Sequence, residues 1–385
     1  MGFAGLLIRR ERLRRDWSQK GLCRGICAVS YLSKIEQGKA EPSQQVLTLL
    51  LERLGVTWHT GEVANQAKEL AEQLFDAFCS MDESRERNLL WELEQQYDDY
   101  VNSPAMLDLL ILKPLCAGKP EPEQLKVFEP VMDERQRGLW LLLEDRYEEA
   151  FQLLPLPVTC ALAGQRDYQS GRYSRAQQRL RRAFDQAAEE CRPGLMLFCR
   201  TLLGNCASDL NDYQDTLHHY TAAERLAKAL GEEQYLRDIH YNLASTQMQF
   251  GRYQEAYGYF DGVEAPTAME LHKLAICCEG LGRQEEALAA LDRAEQAGSQ
   301  TPDRELAMLM CRVVRYRLEH PGYLKEEAYG KLLLDCFSRL QQELPVGYAA
   351  FHLPWVMEWH TANRQYKQAL EVLKEFPGSV NFNRV

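Results

Sequence analysis

Residues 171–183 read Gly171-Arg172-Tyr173-Ser174-Arg175-Ala176-Gln177-Gln178-Arg179-Leu180-Arg181-Arg182-Ala183. The same phrase returns as Asn211-Asp212-Tyr213-x-x-Thr216-x-x-x-Tyr220-x-x-Ala223 and as Gly251-Arg252-Tyr253-x-x-Ala256-x-x-x-Phe260. Shorter or drifted copies stand at Asp145-Arg146-Tyr147-x-x-Ala150-x-x-x-Leu154 and Gly282-Arg283-Gln284-x-x-Ala287-x-x-x-Leu291-x-x-Ala294. A last copy is Asn363-Arg364-Gln365-Tyr366-x-x-Ala369-x-x-x-Leu373. The Gly or Asn turns the chain between two antiparallel helices. The Tyr starts the second helix and packs on the first. The small Ala lets the two helices approach, and the Leu or aromatic fills the gap to the next hairpin. A fixed period of this kind marks a helical solenoid.

Working outward, residues 62–116 read as helix but match the phrase poorly. Residues 301–345 read as a degenerate hairpin around Pro321-Gly322-Tyr323. Leu203-Gly204, Leu243-Ala244 and Leu274-Ala275 supply small residues in the first helices of their hairpins. No alternating strand pattern occurs after Gly61. The fold class is therefore all-α. This body resembles the tetratricopeptide repeat, which implies a right-handed tetratricopeptide-like solenoid.

The first 56 residues differ in charge from the rest. They hold ten Lys/Arg against five Asp/Glu, a balance of +5, while the whole chain carries −11. The remaining 329 residues thus carry −16. A basic head on an acidic body points to a polyanion touched by the head alone. Leu6, Leu7, Leu13 and Trp17 make a loose helical stripe over about Phe3–Arg15. Ser18 caps a short helix, Gln19 to Arg24, which Gly25 ends. A third helix runs from Ala28 to Glu36 and stops at Gly38, with Leu32 and Ile35 inward. Val29, Ser30, Ser33 and Lys34 then face outward. Pro42-Ser43 starts a fourth helix with Val46, Leu47, Leu50, Leu51 and Leu54 as its apolar residues, and Gly55-Val56 closes the unit.

Two short helices joined by a tight Gly turn make a helix-turn-helix. The run Leu32-Ser33-Lys34-Ile35-Glu36-Gln37-Gly38, with Ser18-Gln19, Leu22, Pro42-Ser43 and Leu54-Gly55-Val56, resembles the Xre/Cro repressor-type domain. The resemblance implies double-stranded DNA as a partner. It places Gln19 on a phosphate, Val29, Ser30 and Lys34 at base edges, and Tyr31 and Ser33 at the groove wall. Lys34 has the reach for guanine O6/N7, and Val29 suits a thymine methyl. Glu36 would be repelled by phosphate, so an internal ion pair or cap is expected of it. Cys27 stands where the family has a Ser or Thr cap, and Gly21 sits within the second helix; both blur the expected helix limits.

The domain plan read from these signals is residues 1–56 as the DNA-binding domain, 57–65 as linker and 66–385 as a repeat domain for peptide binding and dimerisation. The first helix of each hairpin would line a concave surface. Its inward candidates are Gln165, Asn205, Asp209, Tyr241, Asn242, Ser245, His272 and Lys273. An Asn amide both donates and accepts, so Asn205 and Asn242 suit a peptide backbone of any sequence. Lys273 suits a peptide carboxylate. The combined architecture resembles the RRNPP family of peptide-sensing regulators. It implies a homodimeric transcriptional regulator whose groove takes a short signalling peptide that alters DNA binding.

Other classes find little purchase. Walker, Gly-x-Gly-x-x-Gly, Gly-x-Ser-x-Gly and His-Glu-x-x-His patterns are absent, so no enzyme activity, cofactor or metal is expected. The twelve cysteines form no Cys-x-x-Cys pair and read as small buried side chains. Phe3–Ile8 is too short for a signal-peptide core, and no apolar run approaches a membrane span. A cytoplasmic protein is expected. The rival readings are a mobile-element repressor or scaffold that binds a protein partner, a phosphatase, and a chaperone-type scaffold whose head binds no DNA.

Overall fold

The structure is a computed structural model that describes residues 3–118, 125–296, 304–344 and 346–374. Residues 301–303 and 345 of the degenerate hairpin, and 375–385 of the repeat domain, lie outside them. The described residues hold helices and no strand. They divide into two compact units: 1–163 with 185–195, and 164–184 with 196–385.

The first unit opens with α1 (Phe3–Arg14), α2 (Gln19–Cys23), α3 (Val29–Glu36) and α4 (Gln44–Leu54). Ser18 accepts from the Gly21 backbone N–H, and Ser43 from that of Val46, so both caps act as read. The Gly21 N–H is thus part of the cap of α2. Ala28 caps α3 without a side-chain bond. Gly55, in the left-handed region, ends α4. Leu22, Leu32, Ile35, Leu50, Leu51 and Leu54 form the core with Leu6, Leu7 and Ile8. At Gly5 a Cβ would stand 2.0 Å from the Ile35 carbonyl oxygen, so only glycine allows α1 to lie this close to α3.

One expectation for α1 is corrected. Leu13 and Trp17 are exposed, at 54% and 38%. The helix stops at Arg14 and the chain reverses through Asp16, whose φ is +54°. The inward place one turn past Ile8 belongs instead to Glu11 and Arg12, both buried.

After the joint at Thr57–Gly61 come α5 (Glu62–Ser80), α6 (Glu83–Gln95), α7 (Tyr97–Val101) and α8 (Met106–Ala117). Residues 62–65 are therefore already the first turn of α5. A 3-10 helix (Lys126–Val131) precedes the hairpin of α9 (Glu134–Leu143) and α10 (Tyr147–Leu153). Asp76 of α5 accepts from Arg85 at 2.6 Å and from Arg192 at 3.1 Å.

The next hairpins pair α11 (Pro157–Gln169) with α12 (Tyr173–Glu189), α13 (Pro193–Asp209) with α14 (Tyr213–Leu230), and α15 (Glu233–Gln249) with α16 (Tyr253–Asp261). Then come α17 (Ala268–Gly280) with α18 (Gln284–Gln296), α19 (Arg304–Glu319) with α20 (Glu327–Glu343), and α21 (Val346–Ala362) with α22 (Tyr366–Lys374). Tyr147, Tyr173, Tyr213, Tyr253 and Tyr366 each begin a second helix, as the repeat phrase predicts. Ala150, Ala176, Thr216, Ala256 and Ala287 are fully buried. The turns are made by residues in the left-handed region: Asp145, Gly171, Asn211, Gly251 and Gly282. In the last copy that residue is Arg364, not Asn363. The Asn363 amide instead donates to the carbonyls of Leu324 and Trp359. Asp167, buried on α11, accepts from Arg172, Arg175 and Arg179 and ties α11 to α12. No helix among the described residues is long and apolar enough to cross a membrane.

Candidate nucleic-acid interface and inner repeat face

Helix α3 is fixed from beneath by an ion pair. Glu36 is buried and accepts from Arg12 Nε at 2.7 Å and Nη2 at 2.9 Å. Arg12 Nη1 also donates to the Trp17 carbonyl at 2.7 Å, so one guanidinium joins α1, its exit turn and α3. The bond to Glu36 raises the Arg12 pKa above its ordinary value despite burial. Glu36 therefore has the internal role expected of it. Next to it, burial pushes the Glu11 carboxyl up, but Arg15, Arg10 and Arg14 more than reverse this and hold it below the usual range.

This scaffold leaves Val29, Ser30 and Lys34 exposed on one side of α3. Val29 is 42% exposed. Ser33 is half-buried and accepts from Gln37. The Tyr31 hydroxyl donates to the Glu41 carbonyl at 3.0 Å and braces the loop before α4. The amide of Gln19 donates to Glu36 at 2.8 Å and leaves the side chain half-buried at the start of α2. Arg53 donates to the Leu22 and Arg24 carbonyls and pins the end of α2.

In the second unit, most of the expected inner residues meet one another or the same helix. Asn205 Oδ1 accepts from the Tyr220 hydroxyl at 2.7 Å and from Asn242 Nδ2 at 3.3 Å. Tyr220 reaches it because residue 204 is glycine: a Cβ there would lie 2.4 Å from the Tyr220 ring. Among the described residues, no hydrogen bond engages Asn205 Nδ2 or Asn242 Oδ1. Burial raises the Asp209 carboxyl to about 6, against hydrogen bonds from Tyr173 and Tyr168 that pull it down. Its Oδ2 has no partner, and the Tyr241 hydroxyl faces Ser245 Oγ. Gln165, on α11, is half-buried and makes no hydrogen bond to the others.

His272 and Lys273 depart from expectation. They do not line an open surface but are buried, at 0% and 4% exposure. Helix α21 covers them. Its Phe351 ring centre lies 3.0 Å from Lys273 Nζ, and its His352 ring stacks on His272 at 5.7 Å. Trp355, on the same face of α21, lies 4.3 Å from the Arg317 guanidinium of α19. Further back, Gly347 stands so near Asp209 that a Cβ would be 3.2 Å from both carboxylate oxygens. One face of α21 thus meets α13, α17 and α19. Sequence reading missed Arg317, Phe351 and His352 for this reason. A single helical stripe reports that a face is buried, not which distant helix buries it.

Residues 8–59 match the helix-turn-helix family model. The transcriptional activator NprA of Geobacillus stearothermophilus is 23% identical over 61% of this chain, which spans 66% of that relative's length. A Rap protein solved with competence and sporulation factor superposes with a TM-score of 0.63 at 16% identity, covering 82% of this chain and 98% of that one. The apo quorum sensor NprR of B. thuringiensis superposes with a TM-score of 0.56 at 16% identity, covering 81% of this chain and 100% of that one. The chain carries an N-terminal helix-turn-helix, and its helical-repeat fold is that of these proteins.

Proposed function

We propose that this protein is a DNA-binding transcriptional regulator whose repeat unit binds a short signalling peptide, and that the peptide alters DNA binding. The observation that carries the reading is the exposed Val29–Ser30–Lys34 side of α3, held rigid by the buried Arg12–Glu36 pair. A stiff helix with a free polar and apolar edge is what major-groove readout requires. Lys34 contacts guanine, Val29 packs on a thymine methyl, and Ser30 bonds a base edge. Gln19, Tyr31 and Ser33 flank the groove. The protein acts as a homodimer, since one such unit covers a single half-site and the second lies ~34 Å along the duplex. The similarity to NprA and to the quorum sensor NprR supports a regulator over an enzyme.

The peptide half rests on the Asn205–Asn242 pair. Its one open donor and one open acceptor match a single peptide unit, whatever the side chains around it. Asp209, Tyr241 and Ser245 complete the site, and Gln165 extends it along α11; His272 and Lys273, buried under α21, are not part of its open surface. Peptide binding shifts a pre-existing equilibrium between arrangements of the dimer.

The test is binding of the purified chain to the DNA upstream of its own coding sequence at two salt concentrations, with and without Lys34→Ala. Specific binding that falls steeply with salt is expected. The substitution is expected to cost about 1–3 kcal/mol, roughly 5- to 150-fold. Binding that is absent, or unchanged by Lys34→Ala, sinks the assignment.

A further inference from the structure

We propose that the arginine face at the start of α12 and the Trp91 face of α6 are the two halves of an interface between copies of this chain. The repeats single out the first half. In three other copies the turn arginine pairs with a glutamate three residues on: Arg146 with Glu149, Arg252 with Glu255 and Arg283 with Glu286. After Arg172 that place is taken by Arg175. In each copy the N–H of the turn arginine donates to the carbonyl of the residue five before it, which is Leu141, Gln247 or Cys278 elsewhere and Asp167 here. Asp167 is buried and gathers Arg172, Arg175 and Arg179, where Leu141 and Cys278 are simply buried. A buried carboxylate ringed by cations is often no more stable than apolar packing, so the hairpin itself does not call for the cluster. What it does is hold Arg172 and Arg175, each 48% exposed, at the surface. Residues 164–184 hold six Arg against one Asp, a balance of +5 within an acidic body. Arg181 lies 3.9 Å from Asp215. Arg166 is exposed and, among the described residues, in no ion pair.

The second half lies on α6 and α7. Trp91 is 68% exposed. Residues 82–99 around it hold seven Asp/Glu against two Arg, a balance of −5. Some of this charge is matched locally. Arg87 lies 4.0 Å from Glu83, Lys113 of α8 pairs with Glu94 at 2.6 Å, and His59 meets Asp99 at 3.0 Å. Arg85 is spent on Asp76, and Glu86 is buried. Glu92 and Asp98 are exposed and, among the described residues, in no ion pair. A planar, weakly hydrated guanidinium stacks well on an indole face, and Trp and Arg are the side chains that anchor interfaces. The two faces are opposite in charge, and each is exposed in the chain that carries it. A second copy supplies the complement of both. In a two-fold dimer the contact forms twice, each Trp91 meeting Arg172 and Arg175 of the partner subunit.

This interface rests on the homodimer proposed above and on neither DNA nor peptide. Sedimentation velocity of the full chain alone, at about 0.05 M and about 1 M sodium chloride, tests it. A dimer is expected at the lower salt, with a dissociation constant at least tenfold weaker at the higher. Trp91→Ala is expected to weaken the dimer roughly tenfold or more. Arg166→Glu with Arg172→Glu should do the same, and so should Glu92→Arg with Asp98→Arg. Mixed together, these two double variants are expected to recover a dimer of one with the other, because opposite charges again face each other. A dimer indifferent to salt and to Trp91→Ala overturns the interface and leaves the homodimer standing on another surface. A chain monomeric at both salts also overturns it; the Lys34→Ala comparison then judges the DNA reading separately. Should the arginine variant melt well below the parent, Trp91→Ala and the Glu92→Arg, Asp98→Arg variant decide alone, and parent-like affinity in both overturns the interface.

Discussion

The helix-turn-helix and the inner repeat face both bury charge, and they do so in opposite ways. Up to residue 56, no buried side-chain nitrogen or oxygen among the described residues is without a partner. Glu36 alone takes three hydrogen bonds, two from Arg12 and one from Gln19. The inner face instead leaves Asp209 Oδ2 and both His272 nitrogens without a protein partner. A fully satisfied network stiffens a scaffold and gives one structure. An unsatisfied one costs stability that folding alone does not recover, and groups in that state mark a place for a ligand or for movement. The first region satisfies its buried polar groups from within, and the second leaves several for water or a ligand to satisfy.

The largest effect is expected where pairing is complete. Arg12→Ala leaves Glu36 buried without its cation and should destabilise the first unit by about 3–5 kcal/mol. Denaturant unfolding followed in the full chain measures it. A loss below about 1 kcal/mol would mean the pair is not the brace described.

Removing charge from the inner face should act in the other direction. The Asp209 carboxyl is raised from 3.8 to about 6. A raised carboxyl favours folding relative to neutral pH only below its unfolded pKa, and that benefit is lost as pH climbs from about 4 through about 6. Asp209→Asn should therefore stabilise the protein at pH 7.5 by roughly 3 kcal/mol, at 1.36 kcal/mol per pKa unit. The gain should vanish below pH 4. Parallel stability curves for parent and variant from pH 4 to 7.5 would break the comparison.

A smaller change sharpens it. Gly204→Ala drives a methyl group into the Tyr220 ring and should cost about 1–3 kcal/mol by overpacking. It should also release the Tyr220–Asn205 bond, so peptide affinity falls along with the unfolding midpoint. Affinity that stays constant while stability drops would separate the asparagine pair from the ligand. At the bottom of the scale, Val29→Ala should leave stability within about 0.5 kcal/mol. It should weaken discrimination at a single thymine, read by comparing operators with thymine and uracil at that position.

Much of the first region is legible in its sequence. Ser18, Gly25, Gly38, Ser43 and Gly55 are local signals whose physics acts within one turn of chain, so four helices could be placed to within a residue or two. The repeat phrase was legible for the same reason, since Tyr, Ala and turn residue sit inside one hairpin. Trp17 misled because hydrophobic spacing continued past the point where Asp16 turns the chain, and Leu13 because Glu11 and Arg12 take the inward places in the last turn of α1. Arg364 replaced Asn363 as the turn residue because the last copy has one extra residue before its Tyr.

By itself, the sequence determined an all-helical chain, a basic helix-turn-helix with Val29, Ser30 and Lys34 outward, and the hairpin period of the body. Each of these follows from interactions among residues a few positions apart. Only the tertiary structure decided that Arg12 is the partner of Glu36, that Asn205 meets Asn242, and that α21 lies over His272 and Lys273. Those contacts join residues from 24 to 80 positions apart. They depend on how helices cross, and one chain's pattern of polar and apolar residues carries the demand for a partner without naming it.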